Sequence, residues 1–274
     1  MKTFALFNLI FTLLLVQAIT ACANYNSNFI NGDLKLIQEK SFPISSGKDL
    51  RIKVDGGDVN VSSWDKSEVY IKILGNENAE DEVEFKFNSS DSFVELIAES
   101  KESFFNWFRW FRNISIKIDI KVPAKFNSKI KTSGGDVKIV DVDGNQELHT
   151  SGGDITCDNF RGMIDASTSG GDVSLKGSGA QITAYTSGGD IVLDYSGENM
   201  GIDLSTSGGD IQVKLPWDFN ANMKLSTSGG DVNCNLTMNN ASKLSEHKIS
   251  AELNNGGKEF IAHTSGGDID VWKK

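Results

Sequence analysis

The pentapeptide Thr-Ser-Gly-Gly-Asp, followed each time by Val or Ile, occurs seven times in the second half of this chain. Successive copies are separated by 18, 18, 18, 20, 21 and 37 residues. The repeat aspartates are Asp136, Asp154, Asp172, Asp190, Asp210, Asp231 and Asp268. A nearly constant period of this length indicates one supersecondary unit that is used again and again.

The residues that flank each copy alternate between apolar and polar. The first and third residues after each Asp are apolar, as in Val137 and Ile139, and the residue between them is polar except at Val192. The second residue before each Thr is also apolar, as in Ile130. This period of two predicts a short strand with one buried face on each side of a Ser-Gly-Gly turn.

A unit of 18 residues is too short for a β-α repeat and suits a two-strand coil with turns. One coil cannot bury its apolar face alone, whereas stacked coils about 4.8 Å apart share a continuous core. We therefore predict an all-β fold, a parallel β-helix-like β-solenoid of about seven to eight coils of 18–21 residues. Glycine reaches positive φ without steric cost, so we expect the Gly-Gly pair to supply the turn geometry.

The repeat aspartates are either turn-forming residues or a row of cation sites. Like charges about 5 Å apart repel by roughly 1 kcal/mol in water, so something must offset this along the stack. Hydrogen bonds to turn N–H groups and to Thr and Ser hydroxyls are one answer. Calcium is the other, but each coil offers one Asp and too few oxygen ligands for it. We expect a structural turn ladder, and no metal or cofactor.

The N-terminus has the features of an export signal. Met1-Lys2 precedes an apolar run from Phe4 to Val16, which is too short to span a membrane. The segment Ile19-Thr20-Ala21-Cys22 resembles the bacterial lipobox, in which the Cys is lipidated and becomes the mature N-terminus. Ordinary cleavage after Ala21-Cys22-Ala23 is the alternative. We predict a signal peptide over 1–21, lipidation at Cys22 and a polar tether over 22–39.

The residue after Cys22 is Ala23 and not Asp. By resemblance to the enterobacterial sorting rule, this favours anchoring at the outer membrane, on its periplasmic or its surface face. The expected partners are thus the membrane, through the lipid, and an unidentified protein or glycan. The formal net charge of −10 argues against nucleic acid, because phosphate binding needs a basic footprint.

The segment before the repeats is also predicted to be β. Leu50, Ile52 and Val54 alternate with polar residues, and Gly56-Gly57-Asp58 follows as an eighth, degenerate copy. We predict that residues 40–130 form strands that begin and cap the solenoid, and that 131–274 form the repeat solenoid itself. Residues 236–260 interrupt the spacing before the last copy and are expected to form a hairpin or loop.

Aromatic residues are concentrated at Trp107, Phe108, Trp110 and Phe111, within the run 104–112. This run is either a hydrophobic cap over the first coil or an exposed patch that contacts a membrane interface, a glycan or a protein. Trp beside Arg suits the second possibility.

No grouping of residues suggests catalysis. His149 and His263 precede the repeat threonines of the second and the seventh copy and cannot share a metal. Cys157 and Cys234 occupy an inward position of the coil, four copies or about 19 Å apart, so we predict two free, buried thiols. The repeat Asp residues are equivalent, so none is singled out, and we expect that the protein is not an enzyme.

The lipobox, the Gly-Asp-Val strand before Ser62-Ser63-Trp64-Asp65, the Val122-Pro123 step and the pentapeptide series together resemble one bacterial family. It is the "putative adhesin" family of β-strand-repeat envelope proteins, a domain of unknown function. The resemblance covers about residues 40–274 and implies a β-solenoid in the cell envelope, with no catalytic residues to carry over. It implies a non-catalytic adhesin or structural module. A carbohydrate-binding or carbohydrate-active β-helix protein and an envelope-stress sensor or scaffold are the alternatives.

Overall fold

A computed structural model of the chain describes residues 34–101 and 114–274. Cys22 and the aromatic residues Trp107, Phe108, Trp110 and Phe111 lie outside the described residues. Within them the chain forms 21 β-strands and one short helix, α1 (Glu77–Glu82). No helix of this described part is long and apolar enough to cross a membrane.

Nine coils, each a strand, a turn corner and a second strand, stack to form the solenoid. Strands before the corner form sheet A, and strands after it form sheet B. In chain order the coils are β2–β3 (Asp49–Val54, Asp58–Trp64), β6–β7 (Phe93–Ser100, Ile116–Pro123), β8–β9 (Asn127–Thr132, Val137–Val140), β10 with the start of β11 (Gln146–His149, Ile155–Ser167), the end of β11 with the start of β12 (Val173–Thr186), the end of β12 with β13 (Ile191–Ser196), β14–β15 (Ile202–Thr206, Ile211–Leu215), β16–β17 (Ala221–Ser226, Val232–Cys234) and β20–β21 (Glu259–His263, Ile269–Lys273). The predicted β-solenoid is confirmed, with one coil, β6–β7, that carries no Gly-Gly-Asp motif.

The inward positions predicted from the alternation form the core. Val137, Ile139 and Ile130 are all fully buried, and their equivalents in the next coils stack directly on them. The strands pair in parallel and in register, as in Ile155 beside Val173. Each apolar residue therefore packs against the same position of the coil above and the coil below, which removes a continuous apolar column from water.

The order of the coils in space differs from their order in the chain at both ends. The last coil, β20–β21, lies between β14–β15 and β16–β17. The first coil, β2–β3, lies between β6–β7 and β8–β9. Both terminal coils are thus flanked on each side by other coils of the chain.

This order corrects two distances expected from the sequence. Cys157 and Cys234 are five coil spacings apart, about 24 Å, because the last coil is inserted between them. Both are free, but Cys234 is half-buried because β17 belongs to an end coil. His149 and His263 are four spacings apart, although five copies separate them along the chain.

Antiparallel strands cover both ends of the stack. At the N-terminal end, β4 (Glu68–Gly75) pairs with β7, β1 (Lys35–Pro43) pairs with β4, and β5 (Val83–Ser89) pairs with β6. The N-terminal region therefore begins the solenoid and covers its first end. Because β1 begins at Lys35, the end of the segment predicted as a tether is already part of this cap.

At the C-terminal end the predicted hairpin is confirmed. Its strands are β18 (Met238–Ser245) and β19 (Lys248–Leu253), and β19 pairs antiparallel with β16. The following turn uses Gly256 and Gly257, which have φ of 69° and 142°. The segment 236–260 is thus an end cap for sheet A. It follows coil β16–β17 in the chain and precedes β20–β21, the coil that inserts between β14–β15 and β16–β17.

Candidate functional site

The repeat aspartates form a continuous hydrogen-bonded ladder along one corner of the solenoid. In each rung, Oδ1 of one Asp accepts the backbone N–H of the equivalent Asp in the next coil, at 2.8–3.1 Å. In spatial order the members are Asp58, Asp136, Asp154, Asp172, Asp190, Asp210, Asp268 and Asp231. The expected turn ladder is present, but its bonds join neighbouring coils instead of closing each turn on itself.

The repeat threonines form a second, buried ladder beside the first. Thr186 Oγ1 donates to Gly171 O of the preceding coil at 2.8 Å and accepts the N–H of Gly189 in its own turn at 3.3 Å. The side chain of Thr186 is fully buried. The hydroxyl therefore satisfies two backbone groups that the turn would otherwise leave unpaired in the core.

The second glycine of each pair is required by the close approach of neighbouring coils. A Cβ added to Gly171 would lie 2.1 Å from Gly153 O, whereas one added to Gly170 would lie 3.7 Å from its nearest neighbour, Gly152 O. Neither glycine has a positive φ. The expectation that the pair supplies positive φ is therefore wrong in the regular copies, and holds in the first coil at Gly57, whose φ is 130°.

The C-terminal hairpin completes the ladders where the coils stop. Glu246 O accepts the N–H of Val232 at 2.8 Å, as a repeat Asp carbonyl does in the preceding rungs. His247 Nδ1 donates to Gly230 O at 2.7 Å and so replaces the Thr hydroxyl of a further coil. The hairpin turn thus imitates one more corner without providing another Asp rung.

The structure also brings together a Ser-His-Glu trio that sequence reasoning missed. On the outer face of sheet A, Ser167 Oγ lies 2.5 Å from His149 Nδ1, and His149 Nε2 lies 3.3 Å from Glu147 Oε1. The signal was available, because His149 and Ser167 both precede a repeat Thr and stacked copies align.

This trio does not have the surroundings of a nucleophilic site. The N–H that follows Ser167, from Thr168, donates to Tyr185 O within the sheet and cannot stabilise an oxyanion. The Lys129 ammonium, with a smaller contribution from His149, lowers the pKa of Glu147 and holds its carboxylate in an ion pair. Within residues 34–101 and 114–274, no three His, Cys, Asp or Glu side chains are placed to hold a metal ion.

The chain on either side of the aromatic run is held firmly. Lys101 Nζ donates to the carbonyls of Glu80 and Asp81 at 3.1 and 2.9 Å, at the end of α1. On the other side, the backbone of Ser115 exchanges hydrogen bonds with Asn76. In the sequence, the run therefore falls between the two strands of the β6–β7 coil, at the place where other coils have their Gly-Gly-Asp.

A shallow groove of about 670 Å³ crosses the outer face of sheet A. It lies over β6, β2, β8, β10 and the end of β11, and the cations Arg51, Lys53, Lys129 and Lys131 line it. The exposed side chain of Met163 lies at one end. None of the cations that line the groove was singled out by the sequence.

The family model of the Toastrack DUF4097 domain matches residues 43–272, which includes every coil and most of both caps. The chain belongs to the Toastrack family. This match agrees with the stacked, repeated coils, and with the family resemblance inferred from the lipobox and the pentapeptides. No curated protein matches the chain.

Several solved structures resemble this Toastrack chain weakly. A putative adhesin from Bacteroides fragilis is 14% identical, with 87% of this chain and 97% of that chain covered and a TM-score of 0.47. A putative cell adhesion protein from Clostridium sporogenes is 15% identical, with 88% and 100% covered and a TM-score of 0.39. A putative lipid binding protein from Parabacteroides distasonis is 15% identical, with 88% and 98% covered and a TM-score of 0.32. At this level of similarity none of them supports a conclusion about function.

Proposed function

We propose that this Toastrack chain is a non-catalytic module of the bacterial cell envelope, exported, held at the outer membrane by a lipid on Cys22, and adhesive or structural in role. The sequence from Met1 to Cys22 supports export and lipidation. Eleven residues, 23–33, separate Cys22 from the first described residue, and a chain of that length reaches at most about 40 Å. In this proposal, the anchor connects to the solenoid through β1, the first described strand.

The observation that carries the non-catalytic proposal is the use made of the repeated polar residues. Every repeat Asp but the last in the stack accepts a backbone N–H of the next coil, and the repeat threonines bridge successive turns. The Thr and Asp side chains of the motif therefore support the scaffold. A long, stiff stack of this kind is suited to presenting a surface.

The aromatic run is the proposed contact with a partner or with the membrane interface. The N-terminal end of the stack already has its own apolar cover, in which Phe42 and Phe87 stack with ring centroids 5.9 Å apart and Phe85 packs against the core. Because the capping role is filled by these residues, Trp107 and Trp110 are better explained as contact residues. Trp and Arg together favour an interfacial or protein partner.

Two experiments test the anchor. Metabolic labelling with a fatty acid should mark the wild-type protein and not a Cys22→Ser variant, and the variant should leave the membrane fraction. Labelling of intact cells with an impermeant reagent then distinguishes the surface face from the periplasmic face. A lipid label that persists in Cys22→Ser would contradict the proposed anchor.

A third experiment tests the aromatic contact. Trp107→Ser with Trp110→Ser should abolish recovery of a crosslinked partner or of membrane vesicles, while the melting temperature stays unchanged. A matched control is Trp217→Ser, which alters a Trp that is 69% exposed elsewhere on the solenoid. Loss of stability without loss of binding would instead assign the run to the cap.

A further inference from the structure

The groove on sheet A brings like charges together in a chain that is acidic overall. The register of β2 and β8 places Arg51 directly beside Lys129 and Lys53 directly beside Lys131. Neighbouring strands are about 4.8 Å apart, and alternate residues of a strand about 6.7 Å apart. Four cations therefore occupy the corners of a small rectangle, an arrangement that costs stability in the absence of a counter-charge.

Acidic side chains at the rim neutralise this cluster only in part. Lys53 Nζ lies 2.7 Å from Glu99 Oε1, and Lys129 Nζ lies 2.6 Å from Glu147 Oε1. The remaining two corners have looser ion pairs: Arg51 is 3.5 Å from Asp49 and Lys131 is 3.9 Å from Glu147. The Arg51 guanidinium also lies over the Phe93 ring, 4.3 Å from its centroid, and Arg51 is in register with Glu95.

The two loosely paired cations are also accessible. The side chains of Arg51 and Lys131 are 44% and 52% exposed. They lie diagonally across the rectangle, so that together they span both the strand direction and the stacking direction.

The groove is elongated and chemically mixed. It crosses five strands, which gives it a length of about 19 Å. Amide and carboxylate groups of Asn127, Asn145 and Glu95 lie beside the cations, and Ile97 and Met163 add apolar surface. None of the described residues that line it is aromatic.

We propose that this groove binds an acidic glycan, with the carboxylates of its uronic-acid units held by Arg51 and Lys131. Hydroxyl groups of such a glycan can pair with the neighbouring amides and carboxylates, and the apolar ring faces can lie against Ile97 and Met163. The proposal goes beyond the envelope role and names the chemistry of one ligand. It rests on that role only in placing the groove where extracellular polysaccharide is present.

Other ligand classes fit the groove less well. A peptide that adds to a sheet needs unpaired backbone groups, whereas these strands are paired on both sides. A neutral sugar would lack the stacking aromatics on which neutral sugars are commonly held, and would leave the cations unpaired.

Isothermal titration of the purified protein with a hepta-galacturonate tests the proposal, with maltoheptaose as the neutral match. We expect binding of the acidic oligomer that weakens with salt, and much weaker binding of the neutral one. Arg51→Gln with Lys131→Gln should reduce the affinity about tenfold or more. Lys138→Gln with Lys176→Gln removes the same charge from sheet B and should change it less than about twofold.

Three results would overturn the proposal: no binding of the acidic oligomer, equal binding of the neutral one, or equal losses in the two double variants. Circular dichroism melts of both variants show whether each remains folded. The measurement uses purified protein, so it does not depend on lipidation or surface exposure. Absence of binding in the titration would therefore reject the proposed glycan site. Absence of fatty-acid labelling would reject the proposed lipid anchor in the envelope.

Discussion

The middle of the solenoid and its two ends are built from the same coil but are held together differently. From β8 to β15 the chain adds each coil directly after the one before, and every corner repeats the same Asp and Thr bonds. At the two ends, the order in space departs from the order in the chain. The first coil, β2–β3, lies inside β6–β7, and the last coil, β20–β21, lies inside β16–β17. Repetition therefore extends the stack, and departures from repetition stop it.

The insertion has a clear physical consequence for the termini. Terminal strands usually fray, because they are paired on one side at most. Here β2 and β20 are each paired on both sides, so opening either requires breaking two sets of ladder bonds. Among the described strands, the edges at β1, β5 and β18 belong to antiparallel cap strands, which do not present another copy of the ladder, whereas β17 remains a short parallel edge of sheet B.

The largest expected effect on stability comes from adding a methyl group at one turn corner in the middle of the stack. Gly171→Ala would place a Cβ 2.1 Å from Gly153 O and force two coils apart, at a cost of about 3 kcal/mol or more. Gly170→Ala is the matched control, and should cost less than about 1 kcal/mol because its Cβ meets ordinary contacts. Chemical denaturation of both variants measures the difference. Equal losses would show that the pair acts through backbone conformation after all.

The next effect tests the buried hydroxyl ladder. Thr186→Val keeps the shape but leaves Gly171 O and Gly189 N–H without their partner, which should cost about 1–3 kcal/mol. Thr183→Val, on the outer face of the same strand, should change the free energy of unfolding by less than about 0.5 kcal/mol. If the two variants unfolded at the same denaturant concentration, the threonine ladder would contribute nothing.

A smaller effect compares equivalent cysteines in the middle and at an end. Burial raises the pKa of Cys157 to about 12 from an ordinary value of 9.0, and raises that of Cys234 as well. The unfolded chain ionises first, so stability is lost as the pH rises from about 9 towards 12.

Replacing Cys157 with Val should therefore remove about 1–3 kcal/mol of this alkaline loss, with little change at pH 7. Cys234→Val should remove less, because its site is half-buried. Urea unfolding between pH 7 and 11 provides the comparison. An identical pH dependence in wild type and the Cys157 variant would contradict the burial argument.

The sequence predicted the coil and its inward positions, because alternation such as Val137 and Ile139 directly encodes a buried face. It did not predict that Asp268 precedes Asp231 in the stack, since all corners carry the same pentapeptide and are locally interchangeable. It also could not show the groove, because Arg51 and Lys129 are brought side by side by a register between distant strands. A hint existed in Arg51-Ile52-Lys53 and Lys129-Ile130-Lys131, which occupy the same place relative to their turns.

The smallest effect should appear where the ladder ends. His247→Ala removes one exposed hydrogen bond to Gly230 O, so the global free energy of unfolding should fall by about 0.5 kcal/mol. The loss should be local, because the bond holds the hairpin turn over the outermost coil, β16–β17, and touches no other rung. Hydrogen exchange should therefore quicken in β17 and stay unchanged in β9, whose corner lies between two complete rungs. Faster exchange in both strands would mean that the end cap supports the whole stack, and no change in either would mean that the histidine is not part of the cap.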